Sequence, residues 1–228
     1  MTNPNSDNYK KEHNQLVFSY LTMRRLVGYL GILTPVILYV SSVVLCDCSS
    51  PQRAISQFYH TCVRDIFMVI AGSMAFFLWV YKGYDLIDQI AFKIAGVSIL
   101  GVGLFPTKFY ASNCSLPPID TRLGISVLHN ISAGLFFITL SFIALFLFTK
   151  TDKNAQMSDE KRKRNLIFRL CGCVMILCLL AIFAILSGVI PTLQDQSLVF
   201  YLQSVALFAF GVAWLVKGQL FYKDIPHS

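Results

Sequence analysis

The sequence predicts an all-α integral membrane protein, a bundle of six transmembrane helices with both termini in the cytoplasm. Of its 228 residues, 55% are hydrophobic and only 14% are charged. The apolar residues lie in blocks of about 20, the length at which a helix crosses a bilayer. Lysines and arginines flank these blocks unequally, as topology signals do. The net charge of +7 therefore does not indicate a nucleic-acid partner.

The apolar blocks define one transmembrane domain over residues 26–216, between a tail of residues 1–25 and a tail of residues 217–228. We expect the start of the first tail to be disordered, because it is polar and has no signal-peptide core. The spans are expected at about 26–46, 62–81, 89–107, 125–149, 168–190 and 198–216.

The first two spans carry features of their own. Arg24 and Arg25 precede the first span, and Pro35 within it predicts a kink. The uncharged stretch of the second span, residues 66–81, is short for a bilayer. We therefore expect this helix to extend back toward His60.

The third span is the least apolar and is rich in small residues, among them Gly96, Gly101 and Gly103. Small residues allow helices to approach closely, so this span is expected inside the bundle. Asp85 and Asp88 lie where the helix begins and are expected to cap it.

Orientation follows from the lysines and arginines. Fifteen lie on one side of the spans: Lys10, Lys11, Arg24, Arg25, Lys82, Lys93, Lys150, Lys153, Lys161, Arg162, Lys163, Arg164, Arg169, Lys217 and Lys223. The remaining four, Arg53, Arg64, Lys108 and Arg122, lie on the other. The basic side is expected in the cytoplasm, with the bacterial inner membrane as the expected location and a eukaryotic endomembrane as the alternative. The run KRKR at 161–164 is interpreted as a topology determinant, with binding of anionic lipid headgroups as the alternative.

The seven cysteines divide into two groups. Three lie in the fifth span and are expected to be packing residues: Cys171, Cys173 and Cys178. Four lie near the outer face: Cys46, Cys48, Cys62 and Cys114. A disulfide from the first outer loop to Cys114 is one possibility if the outer side is oxidising, and the pairing is left open.

Two histidines lie in or beside apolar segments. His60 lies at the outer start of the second span, and His129 lies about one turn inside the fourth. These two spans run in the same direction, so both imidazoles are expected at similar depth. If the stretch around His60 is helical, Ser56, His60 and Arg64 share one face. Ionisable groups are costly in lipid and therefore indicate function.

These residues predict a shallow pocket in the outer leaflet. The candidate catalytic residues are Ser56, His60, Asp65 and His129. The candidate ligand-binding residues are Arg64, Thr107, Ser132 and Gln203.

Three interpretations of this pocket are open. His60, His129 and Asp65 could bind Zn²⁺ and activate water against a lipid ester or amide. Alternatively, His60 and His129 could be the axial ligands of a b-type haem. In the third interpretation the pocket is structural, or binds a ligand without catalysis. The leading hypothesis is a protein that binds, organises or modifies a membrane lipid, and it leaves enzymatic activity open. The partner classes considered are membrane lipid, a second copy of the chain and another membrane protein.

Two short segments resemble the small six-span membrane proteins of the DRAM/Sfk type and their bacterial relatives. The first is Ala54-Ile55-Ser56, which leads into Arg64-Asp65-Ile66-Phe67. The second opens the fourth span and reads His129-Asn-Ile-Ser-Ala133-Gly-Leu-Phe136-Phe137. This resemblance implies a role in membrane-lipid organisation. Ser56-Gln-Phe-Tyr-His60 also resembles the Ser-x-x-x-His motif of the CREST membrane hydrolases. Their His-x-x-x-His pair is not matched, because Ala stands at position 133.

Overall fold

A computed structural model of the chain describes residues 4–83, 85–116, 123–150, 158–189 and 197–221, with side chains from residue 20 onward. These ranges contain six α-helices, namely α1 (Pro4–Cys46), α2 (Arg64–Val80), α3 (Leu86–Leu104), α4 (Leu123–Phe142), α5 (Asp159–Leu186) and α6 (Leu198–Lys217). A 3₁₀ helix, Ile55–His60, precedes α2, and a π-helical turn, Ile143–Leu147, follows α4. The described ranges contain no β-strand, only an isolated bridge between Thr61 and Ser115.

Five of the helical segments are long and apolar enough to cross a membrane. They are Tyr20–Cys46, Leu86–Leu104, Gly124–Leu147, Asp159–Leu186 and Leu198–Lys217. The chain is therefore an all-α membrane protein, as the sequence predicts. The sixth helix, α2, has 17 residues, a length of about 26 Å at 1.5 Å per residue.

The helices run between two ends of the bundle. At one end lie Cys46, Cys48, Cys62 and Cys114, and we call it the disulfide end. At the other end, which we call the basic end, Arg24 of α1 contacts Tyr81 after α2 and Lys217 at the end of α6. Because α2 begins just after Cys62 and ends just before Tyr81, it connects the two ends despite its length.

Two disulfides hold the disulfide end together. Cys46, the last residue of α1, pairs with Cys62, and Cys48 pairs with Cys114. The predicted disulfide between the loop after the first span and Cys114 is therefore present, and a second bridge accompanies it. Among the cysteines of α5, Cys171 and Cys178 are buried as packing residues, whereas Cys173 is exposed.

A close backbone contact joins α1 and α6. A Cβ atom added to Gly211 of α6 would lie 2.5 Å from the carbonyl oxygen of Gly28 in α1. A Cβ added to Gly28 would in turn lie 2.9 Å from the carbonyl oxygen of Gly211. Glycine at both positions therefore allows the two backbones to touch, as small residues do in membrane helix pairs.

The start of α2 differs from the prediction. The helix begins at Arg64 and does not extend back to His60. The chain is extended at Thr61, which forms a bridge with Ser115, and the His60 carbonyl accepts a hydrogen bond from the Leu116 amide. These bonds, with the disulfide at the next residue, hold residues 61–63 out of a helix.

Two helices, α1 and α5, begin earlier in the sequence than predicted. α1 begins at Pro4, so the predicted disordered start of the tail 1–25 is helical from that residue. α5 begins at Asp159 and not near residue 168. The hydroxyl of Ser158 caps α5 by accepting a hydrogen bond from the Lys161 amide. Asp85 caps α3 as predicted, because its carboxylate accepts a hydrogen bond from the Asp88 amide at 2.9 Å.

Candidate functional site

A cavity of about 60 Å³ lies inside the half of the bundle nearer the disulfide end. Residues of α1, α2, α3, α4, α6 and the 3₁₀ helix form its wall. Most of the wall is apolar, and its polar members are Thr34, Ser56, His129 and Gln203. We call it the bundle cavity. Of the residues that the sequence assigns to a pocket, Ser56, His129 and Gln203 line this cavity, whereas His60, Arg64, Asp65, Thr107 and Ser132 do not.

His129 lies on the wall of the bundle cavity and is 2% exposed. Its Nδ1 lies 2.8 Å from the Phe105 carbonyl oxygen. Because a carbonyl oxygen only accepts, Nδ1 carries the proton and donates. In the neutral ring, Nε2 is then the acceptor. The residue thus fastens the start of α4 to the end of α3.

His60 is also buried, at 4% exposure, but it is not part of the cavity wall. Its Nε2 donates to the Thr107 carbonyl oxygen at 2.9 Å. The ring packs edge-on against Phe109, with centroids 5.3 Å apart. His60 and His129 lie close enough to influence each other electrostatically. Both histidines therefore hold the segment that follows α3.

The remaining predicted residues are placed unequally. Ser56 and Gln203 line the bundle cavity, and the Gln203 side-chain oxygen accepts a hydrogen bond from the Ile55 amide at 2.7 Å. Thr107 is buried and contributes the carbonyl that His60 holds. Ser132 does not line the cavity and lies on α4 against Gly101 of α3.

Arg64 and Asp65 lie apart from the cavity. The Asp65 side chain is 86% exposed and pairs with Arg64 at 3.5 Å. The predicted common helical face of Ser56, His60 and Arg64 is wrong, because the 3₁₀ helix ends at His60 and α2 starts at Arg64. The carboxylate therefore does not join the imidazoles.

These positions bear on the two cofactor hypotheses. Among the described residues, no group of three or more His, Cys, Asp or Glu is arranged to hold a metal ion. The proposed triad of His60, His129 and Asp65 is therefore not assembled. Pockets for drug-sized ligands measure roughly 300–1,000 Å³. A cavity of about 60 Å³ is too small for a haem, so the geometry does not support His60 and His129 as axial ligands.

Sequence reasoning missed a second cavity, of about 80 Å³, at the basic end. Four cationic side chains line it, namely Arg24, Lys161, Arg164 and Lys217. We call it the basic pocket. The run KRKR at 161–164 indicates only the part of the pocket that Lys161 and Arg164 form. The contributions of α1 and α6 depend on helix packing, which no local pattern encodes.

The chain matches no family model, no curated protein and no solved structure. Function is therefore argued from the two cavities and the residues around them.

Proposed function

We propose that this chain is a six-span membrane protein that binds a membrane lipid in the bundle cavity, with an acyl segment among the apolar side chains. The supporting observation is the cavity itself, which is apolar over most of its wall and lies among helices that are long and apolar enough to cross a membrane. Ser56, His129 and Gln203 supply the polar groups on that wall. At about 60 Å³, the cavity fits a segment of hydrocarbon and leaves the headgroup outside.

The proposed topology has α2 as the sixth span and the basic end in the cytoplasm. α2 joins the same two ends as the five longer helices, and about 17 residues is the lower limit for a span. Fifteen of the nineteen lysines and arginines belong to the basic side. Two disulfides lie at the opposite end, and disulfides persist in oxidising compartments. The distribution of lysines and arginines and the position of the disulfides thus indicate the same orientation.

The proposed binding is non-catalytic. His60 and His129 each use a ring nitrogen to hold a backbone carbonyl, and Asp65 lies on the surface away from them. A nucleophile, a base and an orienting group in mutual hydrogen-bond reach would be needed for hydrolysis. A lipid-binding role also agrees with the resemblance to the DRAM/Sfk-type proteins.

Photo-crosslinking tests this proposal. The full-length protein is reconstituted in vesicles containing a phosphatidylcholine that carries a diazirine near the end of one acyl chain. We expect cross-links on the cavity-facing residues of α2, α4 and α6, located by peptide mass spectrometry. Ala133→Leu should reduce them strongly, because Ala133 lines the cavity and a leucine would fill part of it.

Gly134→Leu is the matched control. Gly134 is the next residue of α4, and a Cβ atom added there meets nothing within 4 Å. Labelling should therefore persist in this variant. Uniform labelling of all lipid-facing helices, unchanged by Ala133→Leu, would show only surrounding lipid and would overturn the proposal.

A further inference from the structure

The basic pocket lies between α1, α5 and α6, at the opposite end of the bundle from the bundle cavity. Its wall carries Arg24, Lys161, Arg164 and Lys217, and no acidic side chain is among the described residues that line it. The four cations come from three helices that are far apart in the sequence. Their convergence on one cavity is therefore a product of the fold and not only of a basic run.

Arg24 is held in place from several sides. It is 6% exposed, and its guanidinium lies 4.2 Å from the centroid of the Tyr20 ring. Its Nε donates to the Tyr81 hydroxyl at 3.2 Å, and its Nη1 donates to the Lys217 carbonyl at 3.3 Å. A guanidinium fixed in this way loses little freedom when it binds an anion.

The other three cations are also positioned by their neighbours. Arg164 is 8% exposed. The Lys217 ammonium lies 5.1 Å from the centroid of the Phe148 ring. The Lys161 ammonium donates to the Lys150 carbonyl at 2.9 Å. Two arginines more than nine-tenths buried, with two lysines beside them, form a preorganised set of donors.

Like charges lie close together in this region. Arg24, Lys161 and Arg164 all lie close enough to repel the charge of Lys217. Asp88 attracts that charge, but its carboxylate is already bound by Lys150. The carbonyls at the end of α6 offset part of the positive charge. Clustered cations in a partly buried site are costly, and a bound anion would relieve that cost.

We propose that the basic pocket binds a phosphate group. Guanidinium groups donate paired hydrogen bonds to phosphate oxygens, and lysines add point charges. A cavity of about 80 Å³ fits a compact tetrahedral anion. Basic pockets between helices at the cytoplasmic side are typical sites for phosphorylated headgroups. The phosphate belongs either to an anionic lipid or to a soluble molecule, and the proposal does not depend on lipid binding in the bundle cavity.

Two arms of one experiment test the proposal and identify the source. In the first, thermal unfolding of the full-length protein in detergent is measured with inorganic phosphate, against sodium chloride of equal ionic strength. In the second, the protein is placed in nanodiscs of phosphatidylcholine with or without phosphatidic acid, and co-retained phosphatidic acid is counted by mass spectrometry. Stabilisation in the first arm indicates a soluble phosphate, because ligand binding raises stability. Enrichment in the second arm alone indicates a lipid.

Variants in the KRKR run provide the matched comparison. Arg164→Gln should weaken phosphate or phosphatidic acid binding roughly tenfold or more, because it removes paired hydrogen bonds. Arg162→Gln makes the same change of charge at an exposed residue that does not line the pocket. It should alter binding by less than about twofold, because exposed charges interact weakly with the site.

A milder variant guards against misfolding of Arg164→Gln. Lys161→Gln removes the cation but retains the backbone amide that Ser158 caps. Both disulfides should be intact in every variant on a non-reducing gel. Equal loss in Arg162→Gln and the two pocket variants would show a diffuse charge effect and overturn the proposal. The absence of phosphate and phosphatidic acid binding in the unmodified protein would do the same.

Discussion

The disulfide end and the basic end are built by different means. At the disulfide end, two covalent bridges and hydrogen bonds to backbone carbonyls hold the loops, and His60 and His129 are used as donors. At the basic end, cations pack on aromatic rings and on helix-terminal carbonyls. Imidazoles therefore hold the loops at one end, while cations cluster around a cavity at the other.

This difference changes which residues count as functional. The sequence directs attention to the histidines, because ionisable groups near lipid are costly. In the structure each imidazole satisfies a carbonyl beyond the end of α3, which is a sufficient reason for its burial. The sequence assigns Arg24 and Arg164 to topology, with binding of anionic headgroups as the alternative for the KRKR run. Arg24 and Arg164 are only 6% and 8% exposed, which gives them a more specific environment.

Reduction of the disulfides should have the largest effect on stability. Cys48 and Cys114 are separated by 66 residues, and closing a loop of that size stabilises by up to about 4 kcal/mol in the chain-entropy model. Cys48→Ser should therefore lower the free energy of unfolding in mild detergent by an amount approaching this figure. Cys173→Ser is the control, since Cys173 is an exposed free thiol. An equal effect in both variants would contradict a structural role for the bridge.

The contact between α1 and α6 should show the next largest effect. Gly211→Leu should destabilise the fold by about 3 kcal/mol, the upper part of the range for overpacking. The added side chain would collide with the backbone of α1, which cannot move as a side chain can. Gly72→Leu provides the comparison, because a Cβ atom at Gly72 meets nothing within 4 Å. Equilibrium unfolding in SDS measures both, and similar stabilities would show that the close approach is not required.

Loss of the hydrogen bonds made by His60 and His129 should have the third largest effect on stability. His129→Leu should cost about 2 kcal/mol, because it leaves the buried Phe105 carbonyl without its donor. His129→Asn should retain most of the stability, since the Asn Nδ2 donor takes the place of Nδ1. By the same reasoning, His60→Gln should be milder than His60→Leu. Thermal unfolding of the four variants is the measurement. Equal losses in the amide and leucine variants would indicate that the imidazoles have another role.

Sequence patterns predicted the helices well and the site less well. Apolar blocks and flanking charges depend on local composition, so they placed most spans and the Asp85 cap. The break after His60 could not be predicted, because it depends on pairing with residues near Ser115, far along the chain. The basic pocket was missed for the same reason. Arg24 and Arg164 meet only when α1 and α5 pack beside α6.

The smallest expected effect concerns the exposed ion pair at the start of α3. The ammonium of Lys150, followed by the Asp88 amide, lowers the pKa of Asp85 below its ordinary value of 3.8. A lowered carboxyl pKa gives stability that is present above 3.8 and is lost as the pH falls toward the lowered value. Asp85→Asn should therefore flatten the fall in thermal stability between neutral pH and about pH 3. Asp65→Asn is the control, because among the described residues the Asp65 carboxylate pairs only with its neighbour Arg64, at 3.5 Å. If both variants flattened the pH dependence of thermal stability equally, the acid sensitivity would come from the net charge of the protein and not from Asp85 at the start of α3.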